Sequence, residues 1–384
     1  KRGGIFSNHA PTSFFRGGGH PLRSKIIAAE KKNRRLFLII VELSLIMYHM
    51  FSRKKEESVH RTGVKILEAR IGIESTAKEL LPTFPLKVEV PSLLTDFKSV
   101  EEIPYSKDLD GYITVEDADS KPSFEYSGDQ SRFLGPFRKL AKEASDQRYS
   151  LWGNQGFLYR YSLYLLEKKH RIFNLHACAL YSEKNDHLYV ISGGAGSGKT
   201  VYLLSGLLKG LKLYSTETVH VRVEKNTLSW YMGSLVDNVR LGTLTHHFPL
   251  FSRQIDAQGV EDEWQRKIAL DLSSYKTDFE KLSDPKSVTI LFPRIEDGRE
   301  GFLLTPILEK KQAAKALFDN ITQKLSETWI LYDRIPISGI DEEELAHARF
   351  SHISQLVQHE SIIQTAAVLS NPQECWGDLL EKKE

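Results

Sequence analysis

The chain has 384 residues, of which 41% are hydrophobic and 27% charged, so it is long enough for two globular domains. Its two cysteines, Cys178 and Cys375, lie far apart without metal-ligand spacing, which argues against a disulfide framework or a zinc site and favours a reducing, cytoplasmic environment. Residues 1–55 carry twelve Lys/Arg and two acidic residues, whereas the rest of the chain has 40 basic and 48 acidic residues. Because this larger part is mildly acidic, we expect no nucleic-acid partner.

The basic segment 1–55 contains an apolar run at 36–51 that is short for a membrane span. A long polar lead without a small-residue cleavage site argues against a signal peptide. Three interpretations stay open: an over-extended reading frame that starts at Met47 or Met50, a helix that anchors at a membrane surface, or a docking helix. Any membrane contact is expected only through residues 36–51.

Residues 56–150 are expected to form a small α+β module. The pattern predicts a helix near residues 65–80 and strands at 86–90 and 112–115, separated by turn-rich pieces. An aromatic and apolar stretch at 155–169 has helical spacing and is expected to pack on a following sheet.

Residues 151–384 are expected to form a second, denser α/β domain with helices at its C-terminal end. Residues 172–181 and 188–192 are predicted to form a hairpin. The sequence G-x-x-x-x-G-K-[ST] follows the second strand and precedes an amphipathic helix that stops near Gly210. The phosphate-binding loop consists of Gly193, Gly194, Ala195, Gly196, Ser197, Gly198, Lys199 and Thr200.

Strand, loop and helix in this order predict a nucleotide-phosphate site. Glycines let successive main-chain N–H groups surround an anion, and the helix adds the positive end of its dipole. Lys199 is expected to reach the β- and γ-phosphates, and the Thr200 hydroxyl to bind Mg²⁺. ATP and Mg²⁺ are therefore the expected cofactors.

Further elements follow the loop. A second hairpin is predicted from 219–223 and 228–231, and a buried strand at 288–293. Residues 308–325 and 342–357 are predicted to be amphipathic helices.

The order hairpin, phosphate loop, helix and second hairpin resembles the catalytic domain of the HPr kinase/phosphorylase family. That family shares its architecture with the phosphoenolpyruvate carboxykinases. The similar segments are Leu175-His176-Ala177, Gly193–Thr200 and 209–217, with weaker similarity at 237–240, 291–293 and 334–336. The resemblance covers roughly residues 150–340 and implies an α/β P-loop domain with a mixed sheet.

The resemblance also implies roles for individual residues. His176 would lie near the γ-phosphate, and Glu217 would bind Mg²⁺. The family's paired aspartates align with Thr216 and Glu217, so this chain has a hydroxyl where a general base is expected. Arg240 and Arg334 are candidates for stabilising charge on the transferred phosphoryl group.

These residues predict an ATP-dependent phosphotransferase whose acceptor is a hydroxyl on a protein or a small molecule. Retention of His176, Lys199, Thr200 and Glu217 favours catalysis, with His176 or another carboxylate acting as base. Thr216 favours a nucleotide-binding sensor or scaffold that has lost catalysis. A simple NTPase is the third possibility, and the resemblance implies possible homo-oligomers.

Overall fold

The structure is a computed structural model that describes residues 59–84, 97–98, 100–252 and 262–380. The basic segment 1–55, its apolar run 36–51 and the strand predicted at 86–90 lie outside these residues. Residues Val59–Glu384 belong to one compact unit.

The first sheet is built from the N-terminal part of this unit, and its strand order is β3-β1-β2-β4-β6-β5. Two neighbouring pairs, β2–β4 and β4–β6, are parallel, and the others are antiparallel. The strands are β1 (His60–Ile66), β2 (Ala69–Ser75), β3 (Val100–Ile103), β4 (Gly111–Asp117), β5 (Ser123–Ser127) and β6 (Gln130–Gly135).

The helix predicted near residues 65–80 is wrong. This stretch forms the end of β1, a tight turn, β2 and a short 3₁₀ helix at Lys78–Leu80. Val64, Ile66, Ile71 and Ile73 are buried at every second position and are β-branched, which suits a strand. Leu67 has φ +52°, so the chain reverses where a helix would have continued. The strand predicted at 112–115 is confirmed within β4.

Two helices cover this sheet and connect it to the rest of the unit. They are α1 (Phe137–Glu143) and α2 (Phe157–His170), and α2 confirms the helix predicted at 155–169. Residues 157–166 of α2 are buried in the same hydrophobic core as β1, β2, β4 and part of β6.

The central sheet carries the phosphate loop, and its strand order is β10-β8-β9-β16-β20-β17. It is mixed, because β9–β16 and β16–β20 are parallel while the remaining pairs are antiparallel. The strands are β8 (Ala177–Ser182), β9 (His187–Ser192), β10 (Lys212–Ser215), β16 (Ser287–Ile295), β17 (Leu303–Pro306) and β20 (Ile362–Ser370).

Alternate residues of the central strands enter two different cores. In β9, Leu188 and Val190 face one core, while Tyr189 and Ile191 face the other. The second core lies under α3 (Lys199–Leu208), which leaves the phosphate loop. A strand that is buried on both faces is a continuous apolar run, which explains the sequence of β9.

A smaller antiparallel sheet lies on the first of these cores, with the order β15-β12-β11-β7. The predicted hairpin of 219–223 and 228–231 is confirmed as β11 and β12. The bounds are β7 (Phe173–Leu175), β11 (Val219–Glu224), β12 (Thr227–Met232) and β15 (Lys281–Ser283).

The remaining elements are short hairpins and helices. The predicted helices at 308–325 and 342–357 are confirmed as α6 and α7. The bounds are β13 (Val236–Arg240), β14 (Lys267–Asp271), β18 (Trp329–Leu331), β19 (Ile335–Ile337), α4 (Leu241–His247), α5 (Pro249–Ser252), α6 (Lys310–Ser326) and α7 (Glu343–Leu356).

In the hairpin predicted from 172–181 and 188–192, residues 177–181 pair with the second strand as expected, but residues 173–175 do not. The first run is interrupted at His176: β7 joins the smaller sheet through β11, and β8 pairs with β9 in the central sheet. Asn320 of α6 stabilises the crossing, because its Oδ1 accepts from the His176 main-chain N–H at 2.8 Å and its Nδ2 donates to the His176 carbonyl at 3.0 Å.

The described residues therefore form a mixed α/β protein, as the sequence predicts at the level of fold class. No helix among them combines the length and apolar composition that a membrane crossing requires.

A buried ion pair connects α2 to α7. Arg349 Nε lies 2.6 Å from Glu167 Oε2, and both side chains are almost completely buried. Arg349 also lies 2.8 Å from Asp341 at the start of α7. Burial raises the pKa of Glu167 to about 7 even though Arg349 opposes the shift.

We expect Arg349→Met to lower the free energy of unfolding by about 3–5 kcal/mol, because it leaves Glu167 buried without its cation. Arg132→Met, at the exposed pair with Glu116, is the matched control and is expected to change it by less than about 1 kcal/mol. Denaturant unfolding measures both. Equal effects of the two substitutions would contradict the distinction.

Candidate active site

The phosphate loop has the predicted setting, because β9 ends at Ser192 and α3 begins at Lys199. Gly196 has φ +79° and Gly198 φ +101°, conformations that side chains other than glycine rarely adopt. A Cβ on Gly198 would collide with Ile295 of β16, whereas a Cβ on Gly194 or Gly196 would meet no atom within 4 Å. The loop is thus fixed at its helical end and open at its tip, where a ligand can approach the main chain.

Lys199 is folded along its own loop. Its Nζ donates to the carbonyl of Gly193 at 2.8 Å and to that of Gly194 at 3.2 Å. Burial lowers the pKa of Lys199. Beneath it, the thiol of Cys178 in β8 donates to the Lys199 carbonyl at 3.5 Å, and burial raises the pKa of this thiol. The ammonium group therefore lies at the loop rather than in bulk solvent.

Two carboxyl groups meet beside the start of α3. Asp237 of β13 is 3% exposed and is hydrogen-bonded both to Glu217 and to the Thr200 hydroxyl. Burial and the nearby charge of Glu217 raise the pKa of Asp237 well above its usual range. Burial would also raise the pKa of Glu217, but the hydrogen bond with Asp237 and the charge of the Lys199 ammonium group oppose it, and that pKa is lowered. These opposite shifts favour one proton shared between the two carboxyl groups.

Thr216 holds the strand that carries Asp237. Its N–H donates to the Ser234 carbonyl at 2.9 Å, and its hydroxyl donates to the Val236 carbonyl at 2.8 Å. The Asn238 N–H in turn donates to Glu217. A hydroxyl at position 216 thus fixes β13 against the Glu217 segment.

His176 lies on the other side of Glu217. Its Nε2 is 3.9 Å from Glu217 Oε2, and about a quarter of each side chain is exposed. Burial and the charge of Lys199 lower the pKa of His176 to about 4, against the opposing effect of Glu217. The imidazole is therefore neutral at pH 7.

The donor set suits a hard cation. Carboxylate and hydroxyl oxygens from Glu217, Asp237 and Thr200 converge, and Mg²⁺ needs only one or two protein carboxylates when phosphates and water complete its shell. In the described part of the chain, no three His, Cys, Asp or Glu side chains are grouped as metal ligands. A cation site here would thus be completed by the nucleotide.

The two arginines proposed from the sequence have other partners. Arg240, three residues beyond Asp237 in β13, donates from Nη1 to the Trp264 carbonyl. Arg334 Nη2 lies 2.8 Å from Glu143 in an exposed ion pair. Their roles in phosphoryl transfer stay predictions.

Sequence reasoning missed Asp237 as a site residue. One signal was available, because Asp237 occupies an inward position of a short strand in which Val239 is also inward. A carboxylate at such a position needs a buried partner.

No family model matches this chain, and no curated protein is significantly similar to it.

We expect Gly198→Ala to destabilise the protein by roughly 2 kcal/mol or more, since the new Cβ meets Ile295 and the backbone is left-handed. Gly194→Ala is the control, because its Cβ meets open space, and it should change stability by less than about 0.5 kcal/mol. Thermal unfolding of both variants without nucleotide measures the difference. A well-tolerated Gly198→Ala would contradict this loop geometry.

His176 is expected to stay neutral down to about pH 5, because burial and Lys199 both disfavour the imidazolium form. A pH titration followed by ¹⁵N NMR of the imidazole measures this, and the His176→Gln spectrum assigns the signal. A midpoint near 6.5 would show that the ring is solvated and distant from Lys199.

Proposed function

We propose that the protein is an ATP-dependent, Mg²⁺-requiring phosphotransferase that resembles HPr serine kinase and acts on a hydroxyl of a protein or a small molecule. The observation that carries the proposal is the contact of the Glu217–Asp237 pair with Thr200, the last residue of the phosphate loop. The order of elements from β8 to β12 supports the resemblance to the HPr kinase and phosphoenolpyruvate carboxykinase architecture.

The carboxyl pair answers the main objection that the sequence raises. Thr216 cannot accept a proton at neutral pH, but Asp237 supplies a second carboxyl group from strand β13. One carboxylate can then serve the cation while the other takes a proton. Asp237 and Thr200 lie on the side of α3, and Glu217 extends to the side of His176.

In the proposed reaction, the loop amides and Lys199 hold the β- and γ-phosphates. Thr200 and Asp237 would hold Mg²⁺, which when bound would neutralise the charge that develops on the phosphates. The acceptor hydroxyl gives its proton to the Glu217 carboxylate as its oxygen bonds to the γ-phosphorus. The bond between that phosphorus and the bridging oxygen breaks, and ADP leaves. Because His176 is neutral, its ring adds no charge that would draw the acceptor hydroxyl or the γ-phosphate out of the reacting position.

A nucleotide sensor or a simple NTPase would use the same loop. The sensor would bind ATP without transferring phosphate, and the NTPase would transfer it to water. The buried carboxyl pair favours chemistry over sensing, because general-base help contributes about 10²–10⁴-fold to such reactions.

The test is incubation with γ-labelled ATP and Mg²⁺, alone and with a cell extract that supplies acceptors. We expect label transfer by the wild type and losses of about 100-fold or more in Lys199→Ala, Glu217→Gln and Asp237→Asn. Lys209→Ala is the matched control, because Lys209 is exposed at the opposite end of α3.

Three outcomes distinguish the candidate functions. Transfer lost in all three site variants but not in Lys209→Ala supports the kinase. Release of labelled phosphate without a labelled acceptor supports the NTPase. Tight ATP binding with neither product leaves the sensor.

A further inference from the structure

One face of helix α6 is directed at the active site. Asn320 binds the main chain of His176 through both polar atoms of its amide. Lys324 follows four residues later, so it lies one turn along the same face. Asn320 therefore places Lys324 beside the interruption between β7 and β8.

The turn that carries Lys324 is fixed by a buried arginine. Arg160 of α2 donates from Nη1 to the Lys324 carbonyl at 2.5 Å and from Nη2 to Glu327 Oε1 at 2.7 Å. Its guanidinium lies 4.3 Å from the ring centre of Trp329 and is almost fully buried. The main chain at Lys324 is thus held in place, and only its side chain can change its hydrogen-bond partner.

The ammonium group of Lys324 has a weak partner. Its Nζ donates to Gln155 Oε1 at 3.1 Å, and this amide carries no net charge. Among the residues that the structure describes, neither Lys324 nor Lys199 has a carboxylate within 4.0 Å of its ammonium group. The positive charge of Lys324 lowers the pKa of both His176 and Lys199, so all three groups share one electrostatic environment.

Lys199 and Lys324 carry like charges that oppose each other, and an anion between them would relieve this repulsion. The loop amides and Lys199 enclose the inner phosphates of a nucleotide. A cation that arrives from another helix meets the part that projects from the loop, which is the terminal phosphoryl group.

We propose that Lys324 is a second phosphate-binding residue, which leaves Gln155 and contacts the terminal phosphoryl group of bound ATP from helix α6. The inference rests on the proposed function, since it requires a nucleotide on the loop. It assigns Lys324 a substrate contact that the sequence did not indicate.

The experiment compares the binding of a non-hydrolysable ATP analogue and of ADP by calorimetry in Mg²⁺. A charge-assisted hydrogen bond to the terminal phosphate predicts that Lys324→Met weakens the analogue roughly 10-fold or more and ADP by less than about twofold. Lys324→Arg should retain most of the affinity. Lys315→Met is the matched control on an exposed turn of α6 and should bind both nucleotides like the wild type.

Equal weakening of both nucleotides, or none, in Lys324→Met would overturn the inference, because a structural lysine does not distinguish ATP from ADP. Lys199→Ala in the same assay separates this result from failure of the proposed function. If the wild type binds and Lys199→Ala does not, the phosphate site stands whatever Lys324 does. If the wild type binds neither nucleotide, both proposals fall.

Discussion

The hydrogen bond between the carboxyl groups of Glu217 and Asp237 is the interaction on which the site depends. Burial and the nearby charge of Glu217 raise the pKa of Asp237, which favours one proton shared between the two carboxyl groups. That proton joins β13 to the segment after β10, and through Thr200 it joins both to the start of α3. The geometry of the phosphate loop, the carboxyl pair and His176 is therefore one connected unit.

Thr216 has a structural role beside the carboxyl pair. An aspartate at this position would place a third carboxylate next to Glu217 and Asp237, and the mutual repulsion would have to be relieved. The threonine instead uses its hydroxyl to fix the Val236 carbonyl, one residue before Asp237. Glu217 and Asp237 thus form an acidic pair from two separate segments, the turn after β10 and strand β13.

The sequence predicts well what depends on local pattern. The phosphate loop, its strand and α3 follow from neighbouring residues, and so do the β11–β12 hairpin and helices α6 and α7. The helix predicted at residues 65–80 was wrong because the apolar spacing of a short stretch fits both a helical and a strand period. The β-branched side chains there favour strands. Asp237 and the Asn320 contact with His176 depend on strand and helix placement, which residue spacing along the chain does not encode.

The lysine of the loop has a consequence for how a nucleotide is received. Lys199 already lies against the carbonyls of Gly193 and Gly194, so its long side chain has lost most of its rotational freedom during folding. Under the proposed function, an arriving polyphosphate would exchange the neutral carbonyl oxygens around this ammonium group for charged ones while the group hardly moves. Recognition would then be rigid at the cation, and preorganisation of this kind would raise affinity without any added contact.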